Sequence, residues 1–181
     1  MADHPCEDTR PYVCYRSEDQ KATVNECGTV DPEYRLDVKT GSCYKFHIVP
    51  RNFSRAFLAC SAEGSHLAII NSDQEAEVLK NLFAKYPAAK MVGNFWKDVA
   101  FIGAHNWGEP ADWRTIHGET LSEAGYDNFR KGEPNNSPPG EYCLSIYRDA
   151  KLNDLWCDRE AAFICEKSPD YPPVCEEEDL V

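Results

Sequence analysis

From Tyr44 to Val49 the chain alternates apolar and polar side chains, a period of two that predicts a half-buried β-strand. The period then changes. Across Phe53 to Glu63 the apolar residues Ala56, Phe57, Ala59 and Cys60 recur at near-helical spacing, and Gly64 follows where a left-handed cap would end a first helix. Ser72-Asp73-Gln74-Glu75 reads as a capping box opening a second helix. Its apolar face would run through Ala76, Leu79, Leu82 and Phe83 toward Tyr86 until Pro87 stops it. Val99 to Gly103, Cys143 to Tyr147 and Ala162 to Cys165 are apolar runs of strand length and read as core strands. Residues Gly118 to Gly140 are dense in Gly, Pro and Asn and read as loop. The pattern predicts an α+β unit with two early helices, antiparallel strands and a long loop region.

At 181 residues and 42% hydrophobic content the chain can hold one ordinary domain with a real core plus flanks. A net charge of -12 excludes nucleic acid as the natural partner, since no basic stripe exists to neutralise phosphates. No segment approaches a membrane span, which argues against membrane insertion. Nine cysteines, not arranged as paired zinc knuckles, read as a disulfide framework and hence an oxidising compartment. Met1 to Arg16 contains no apolar signal core. The expectation is a secreted, extracellular protein whose signal peptide is absent from this chain, either as a piece of a larger precursor or because the frame is entered internally.

Cys6 to Cys14 and Cys157 to Cys165 share a spacing and a surrounding pattern: an acidic residue after the first cysteine, and an aromatic and a β-branched residue before the second. Residues 1–16 are therefore expected to be the C-terminal remnant of a preceding domain like the main one, with 17–26 a linker, 27–167 the complete domain and 168–181 an acidic, Pro-rich tail. Coincidence in so short a window is the competing reading. The tail holds Cys175, the odd cysteine, either an intermolecular bridge or a free thiol.

The candidate chemistry lies at Glu133-Pro134-Asn135, Glu141 and Asn153-Asp154. Three carboxylates and two amides offer hard oxygen ligands, which suit Ca2+, whereas zinc or copper would draw on His or Cys. Two other readings compete: a glycosidase acid–base pair at Glu133 and Glu141, or solvated loop acids holding nothing. Nothing in the sequence marks a neutralised acid, so the protein is expected not to be an enzyme. His105, Trp107 and Trp113 are either a stacking wall for a second sugar ring or core packing. His47, His66 and His117 are scattered and read as structural. Asn52-Phe53-Ser54 is a glycosylation sequon; Asn135-Asn136-Ser137 is another, but Pro138 follows it.

Over roughly Cys27 to Lys167 these residues resemble the C-type lectin domain family. The resemblance rests on the cysteine positions, on Phe101-Ile102-Gly103-Ala104 at the family's core motif, on Glu133-Pro134-Asn135, and on Asn153-Asp154. It implies a disulfide-stapled C-type lectin-like fold of the long form, with bridges Cys27–Cys43, Cys60–Cys165 and Cys143–Cys157. Leu152 stands where the family usually has tryptophan, a packing position, so the pair after it should be unaffected. The resemblance further implies a cis Pro134 that aims Glu133 and Asn135 at one Ca2+, with Glu141, Asn153 and Asp154 completing both the metal and the carbohydrate site. The Glu-Pro-Asn order resembles members that bind mannose, glucose, fucose and N-acetylglucosamine rather than galactose. A second calcium site would need carboxylates where Asn106, Glu109 or Pro110, Asn136 and Tyr142 stand, so one strong site is expected.

The finer similarity is to the immulectins, tandem lectins of moth and butterfly hemolymph. It implies an innate-immune pattern-recognition role on microbial or cell-surface glycans, with homo-oligomers and hemolymph protease-cascade proteins as partners. The alternative keeps the fold as a protein-binding module without sugar.

Overall fold

The structure is a computed structural model and describes residues 24–109 and 112–169. The expected remnant at 1–16, most of the linker, Cys6, Cys14, Cys175 and most of the acidic tail lie outside the described residues.

The elements follow the chain as β1 (Arg35–Leu36), β2 (Cys43–Arg51), α1 (Phe53–Ala62), β3 (His66–Leu67), α2 (Asp73–Ala84), β4 (Val99–His105), β5 (Arg114–Thr115), α3 (Leu121–Ala124), β6 (Cys143–Tyr147), β7 (Leu152–Leu155) and β8 (Ala161–Lys167). The strands form one eight-stranded sheet in the order β1-β2-β8-β4-β6-β7, with β3 on β8 and β5 on β4. Pairing is antiparallel except between β4 and β8, which run parallel with Ala100 opposite Ala162. The chain's first long strand and its last one are neighbours, so β2 and β8 close the domain on itself.

Both faces of the central strands are covered, which explains why their sequences are continuous apolar runs. On β4, Ala100, Ile102 and Ala104 join the core shared with Leu79 and Phe83 of α2, while Val99 and Phe101 join the core shared with Phe53 and Ala56 of α1. β8 divides the same way, Ala162 and Ile164 to one side and Phe163 and Cys165 to the other. Gly103 marks a close approach: a Cβ there would stand 2.4 Å from the Leu67 carbonyl oxygen. Its own N–H donates to the Ala68 carbonyl at 2.8 Å, so the motif glycine lets two backbone segments touch.

Local signals and observed caps agree in part. Asn52 caps α1, its side chain accepting from the Arg55 N–H, and Gly64 takes a positive φ of 65° just after the helix. Phe53, Ala56 and Cys60 form the buried stripe of α1, but Phe57 points outward instead of joining it. Ser72 caps α2 as expected. Glu75, however, reaches one residue further back than a capping box requires, accepting from the Asn71 N–H at 2.8 Å and from the Tyr44 hydroxyl at 2.5 Å. The reciprocal box forms instead at Thr120 and Glu123, where it starts the short α3 inside the region read as loop. β2 is also more buried than its alternation predicts. Lys45 is enclosed because Asp31 at 2.7 Å and Glu63 at 2.9 Å satisfy its ammonium.

Glu75 and Glu166 are both buried. Burial, followed by the adjacent Glu166 charge, pushes the Glu75 carboxyl up to about 7, and burial also raises Glu166. Between the ordinary carboxylate range and that value, the folded chain keeps a proton that the unfolded chain has released. Stability from this group is therefore full in acid and lost as pH rises through neutrality. In Glu75→Gln the amide oxygen can accept from the Asn71 N–H while the amide nitrogen donates to the Tyr44 hydroxyl, which can itself donate to Thr40 Oγ1, and the slope is removed. The variant should gain roughly 1–3 kcal/mol over wild type at pH 8 relative to pH 5, as urea unfolding at the two values would read.

Candidate functional site

The sequence-predicted site residues come from two places that the fold joins. Glu133, Pro134, Asn135 and Glu141 lie on the loop between α3 and β6, while Asn153 and Asp154 lie within β7. The last pair is thus on a buried strand, outside the stretch Gly118 to Gly140 that reads as loop. Two backbone–backbone hydrogen bonds bind loop to strand: Leu152 N–H to the Asn128 carbonyl at 3.0 Å, and Arg130 N–H to the Leu152 carbonyl at 2.9 Å. Leu152 itself is buried in the main core, where it packs as the tryptophan position was expected to. The Cys143–Cys157 bridge spans the β6–β7 hairpin, and Cys27–Cys43 and Cys60–Cys165 form the other two bridges.

The peptide bond before Pro134 is cis, and so is the one before Pro139. Downstream of Pro134 the loop wraps around Asp154. The Asn135 and Asn136 N–H groups donate to its two carboxylate oxygens at 3.0 and 2.6 Å. Ser137 N–H donates to Glu141 Oε2 at 2.9 Å, and Glu141 N–H donates to Asn136 Oδ1 at 3.0 Å, closing the loop on itself. The Asn135 amide nitrogen donates to Glu133, and the Ser137 hydroxyl to Asn135 Oδ1. The Asn153 amide nitrogen donates to Ser145 Oγ at 2.9 Å, and the Ser145 hydroxyl donates to the Asn153 carbonyl at 3.2 Å. These bonds fix the orientation of the strand side chain.

Electrostatically the arrangement is one-sided. Burial, then the nearby Asp154 carboxylate, raises Glu133. Burial also raises Glu141, with Asp154 and Glu133 adding to it. Among the described residues every ion pair involves other acids, so no lysine or arginine neutralises Glu133, Glu141 or Asp154. Gathered carboxylates, with Glu133 and Glu141 both raised by burial and the Asp154 charge and no cationic side chain beside them, are the donor chemistry of a hard-cation site. They are less tightly gathered than His47, Glu63 and Cys165, whose ligand atoms lie within 4.8 Å of one another. That trio is structural: the Cys165 sulfur is bonded to Cys60, and Glu63 serves Lys45.

The residues expected at a second site are engaged locally. Asn106 Oδ1 accepts from the Gly108 N–H at 2.9 Å, and Asn136 Oδ1 is held by Glu141. The candidate aromatic wall divides. Trp113 is buried in the core, whereas Trp107 is 82% exposed and lies against the His105 ring at 3.9 Å between centroids. Sequence reading did not find the groove that Trp107 shares with Phe57, Leu58 and Ile116. The outward turn of Phe57 and Leu58 on α1 was its signal. His66 and His117 meet edge to face at 5.1 Å, and His47 stacks on Phe163, so these histidines pack.

The family profile described as "Lectin C-type domain" matches residues 49–167. The chain is 36% identical over 139 residues to the "Hemolymph lipopolysaccharide-binding protein" of Periplaneta americana, covering 76% of this chain and 53% of that protein. It therefore spans about half the length of that relative. To the "C-type lectin mannose-binding isoform" of Oxyuranus scutellatus it is 32% identical, covering 71% of this chain and 78% of the snake protein. Among solved structures, the carbohydrate-recognition domain of the mouse scavenger receptor C-type lectin superposes with a TM-score of 0.62 at 28% identity. That match covers 76% of this chain and 94% of the mouse one.

Proposed function

The chain belongs to the C-type lectin domain family, and from that membership we propose that it is a calcium-dependent carbohydrate-binding protein of the mannose type, secreted and directed at microbial surface glycans. The observation that carries this reading is the set of uncompensated oxygen donors, Glu133, Asn135 and Glu141 from the loop with Asn153 and Asp154 from β7. These residues fit Ca2+, which takes six to eight oxygen ligands and tolerates irregular geometry. The bound ion would supply a centre to which two neighbouring sugar hydroxyls can bind in place of water.

This chain's own residues orient the sugar. Glu133 and Glu141 can only accept hydrogen bonds, whereas the Asn135 and Asn153 amides can donate. Each of those amide nitrogens has two hydrogens and spends one inside the protein, on Glu133 and Ser145 respectively. The second remains for a hydroxyl, so each hydroxyl would meet one donor and one acceptor. Asp154, covered by the loop backbone, holds the two halves together. The Glu-Pro-Asn order, together with a relative whose name says mannose-binding, supports equatorial-diol sugars over galactose. The name of the cockroach relative supports a bacterial surface glycan as target.

A single site of this size touches few ligand atoms and binds weakly, so useful avidity would come from several domains on one repetitive surface. The test is retention on mannose-agarose. Binding in millimolar calcium and release by a chelator are expected. Retention that ignores the chelator would overturn the mechanism, and no retention in calcium would favour a protein ligand on the same fold.

A further inference from the structure

An apolar groove of about 660 Å³ lies over α1, with Phe57, Leu58, Trp107, Ile116 and Tyr142 in its wall. Leu58 and Trp107 are open to water in this wall. Asn52 also lines this groove, at the start of the sequon Asn52-Phe53-Ser54. We propose that Asn52 carries an N-linked glycan and that the first sugars of this glycan lie over the groove.

The two ends of the Asn52 amide do separate work. Its Oδ1 accepts from the Arg55 N–H at 3.0 Å and from the Ser54 hydroxyl at 3.2 Å, capping α1. Its Nδ2 makes no hydrogen bond among the described residues. Glycosylation uses only that nitrogen: Nδ2 bonds to C1 of a lipid-pyrophosphate-linked oligosaccharide, and the C1–oxygen bond to pyrophosphate breaks. The lipid pyrophosphate leaves with the electron pair, and one amide proton passes to a base of the transferase. The carbonyl stays in place, so the helix cap survives the modification. The three disulfides put the folding chain in the oxidising compartment where this transfer occurs. Arg55 follows this sequon, whereas Pro138 follows Asn135-Asn136-Ser137. The occupant follows from the attachment point, which is on the groove wall. The C–H faces of the sugar rings then meet Trp107, Phe57 and Leu58. This inference is independent of the calcium site.

The full chain is expressed in the secretory pathway of insect cells, and its intact mass is measured before and after peptide-N-glycosidase A. Loss of one oligosaccharide with conversion of Asn52 to aspartate is expected. Asn52→Asp and Ser54→Ala should be secreted unmodified, and both keep an oxygen to cap α1. Enzymatic removal of the glycan, or Ser54→Ala, should raise anilinonaphthalene sulfonate fluorescence at least about twofold, because the dye reports exposed apolar surface. An unmodified Asn52 in folded, secreted protein overturns the site. A modified Asn52 with unchanged dye fluorescence overturns the covering of the groove.

Discussion

Asp154→Ala is expected to lower mannan affinity by at least about 100-fold, a larger loss than the 10- to 100-fold typical of groups that only support a metal ligand. Two effects coincide at this residue. The variant removes a carboxylate proposed to hold the cation, and it strips the acceptor from two backbone N–H groups, Asn135 at 3.0 Å and Asn136 at 2.6 Å. Each of these part-buried hydrogen bonds is worth on the order of 1 kcal/mol, so the loop carrying Glu133 and Glu141 should also loosen. Glu133→Gln separates the two effects. It keeps the side-chain shape and an acceptor for the Asn135 amide while removing one charge, so it should weaken calcium and sugar binding together without lowering the melting temperature. Calorimetric titration with calcium and then mannan reads both variants. Sugar binding by Asp154→Ala within about threefold of wild type, a difference well under 1 kcal/mol, would remove the site from Asp154.

The second large effect concerns the scaffold. Replacing Cys60 and Cys165 together by alanine should cost about 4–5 kcal/mol, because their bridge closes a sequence separation of 105 and restricts the unfolded chain accordingly. Replacing Cys27 and Cys43, separated by 16, should cost nearer 3 kcal/mol. The longer bridge also ties α1 to β8 in the centre of the sheet, where both sulfurs are fully buried. For a domain of this size the loss corresponds to a fall in melting temperature of roughly 10–20 °C. Thermal scans of the two double variants would check the ranking. Equal losses would mean that residual structure in the unfolded chain, not loop length, sets the contribution.

The parts of the fold legible in the sequence are those with local causes. Ser72 signals a helix start because its side-chain oxygen satisfies an N–H only three residues on, the same cap that the structure shows at Asn52, where the sequence reads only as a sequon. The apolar runs at Val99, Cys143 and Ala162 signal strands because burial on both faces favours apolar side chains, and a polar one such as Ser145 enters only where a hydrogen bond satisfies it. Lys45 and Glu75 broke the pattern for the opposite reason. Lys45 is buried by virtue of Asp31 and Glu63, and Glu75 by virtue of Tyr44, Asn71 and Glu166. Most of these partners are distant in the chain, and no periodicity announces them.

For the candidate site the residue types, and hence the cation class they suit, were present in the chain as Glu133, Asn135, Glu141, Asn153 and Asp154. Oxygen donors carry their chemistry wherever they stand. Their meeting was decided by tertiary structure, because Leu152 pairs with the backbone of residues 128 and 130 and brings β7 under the loop. The same holds for the tryptophans. Trp107 and Trp113 have the same side chain and lie six positions apart, yet one is buried in the core and the other stands at a groove open to solvent. Sequence determined which chemistry and which local elements this protein could have. Three-dimensional packing decided which of those groups face one another, because contacts between distant segments depend on how the whole sheet closes.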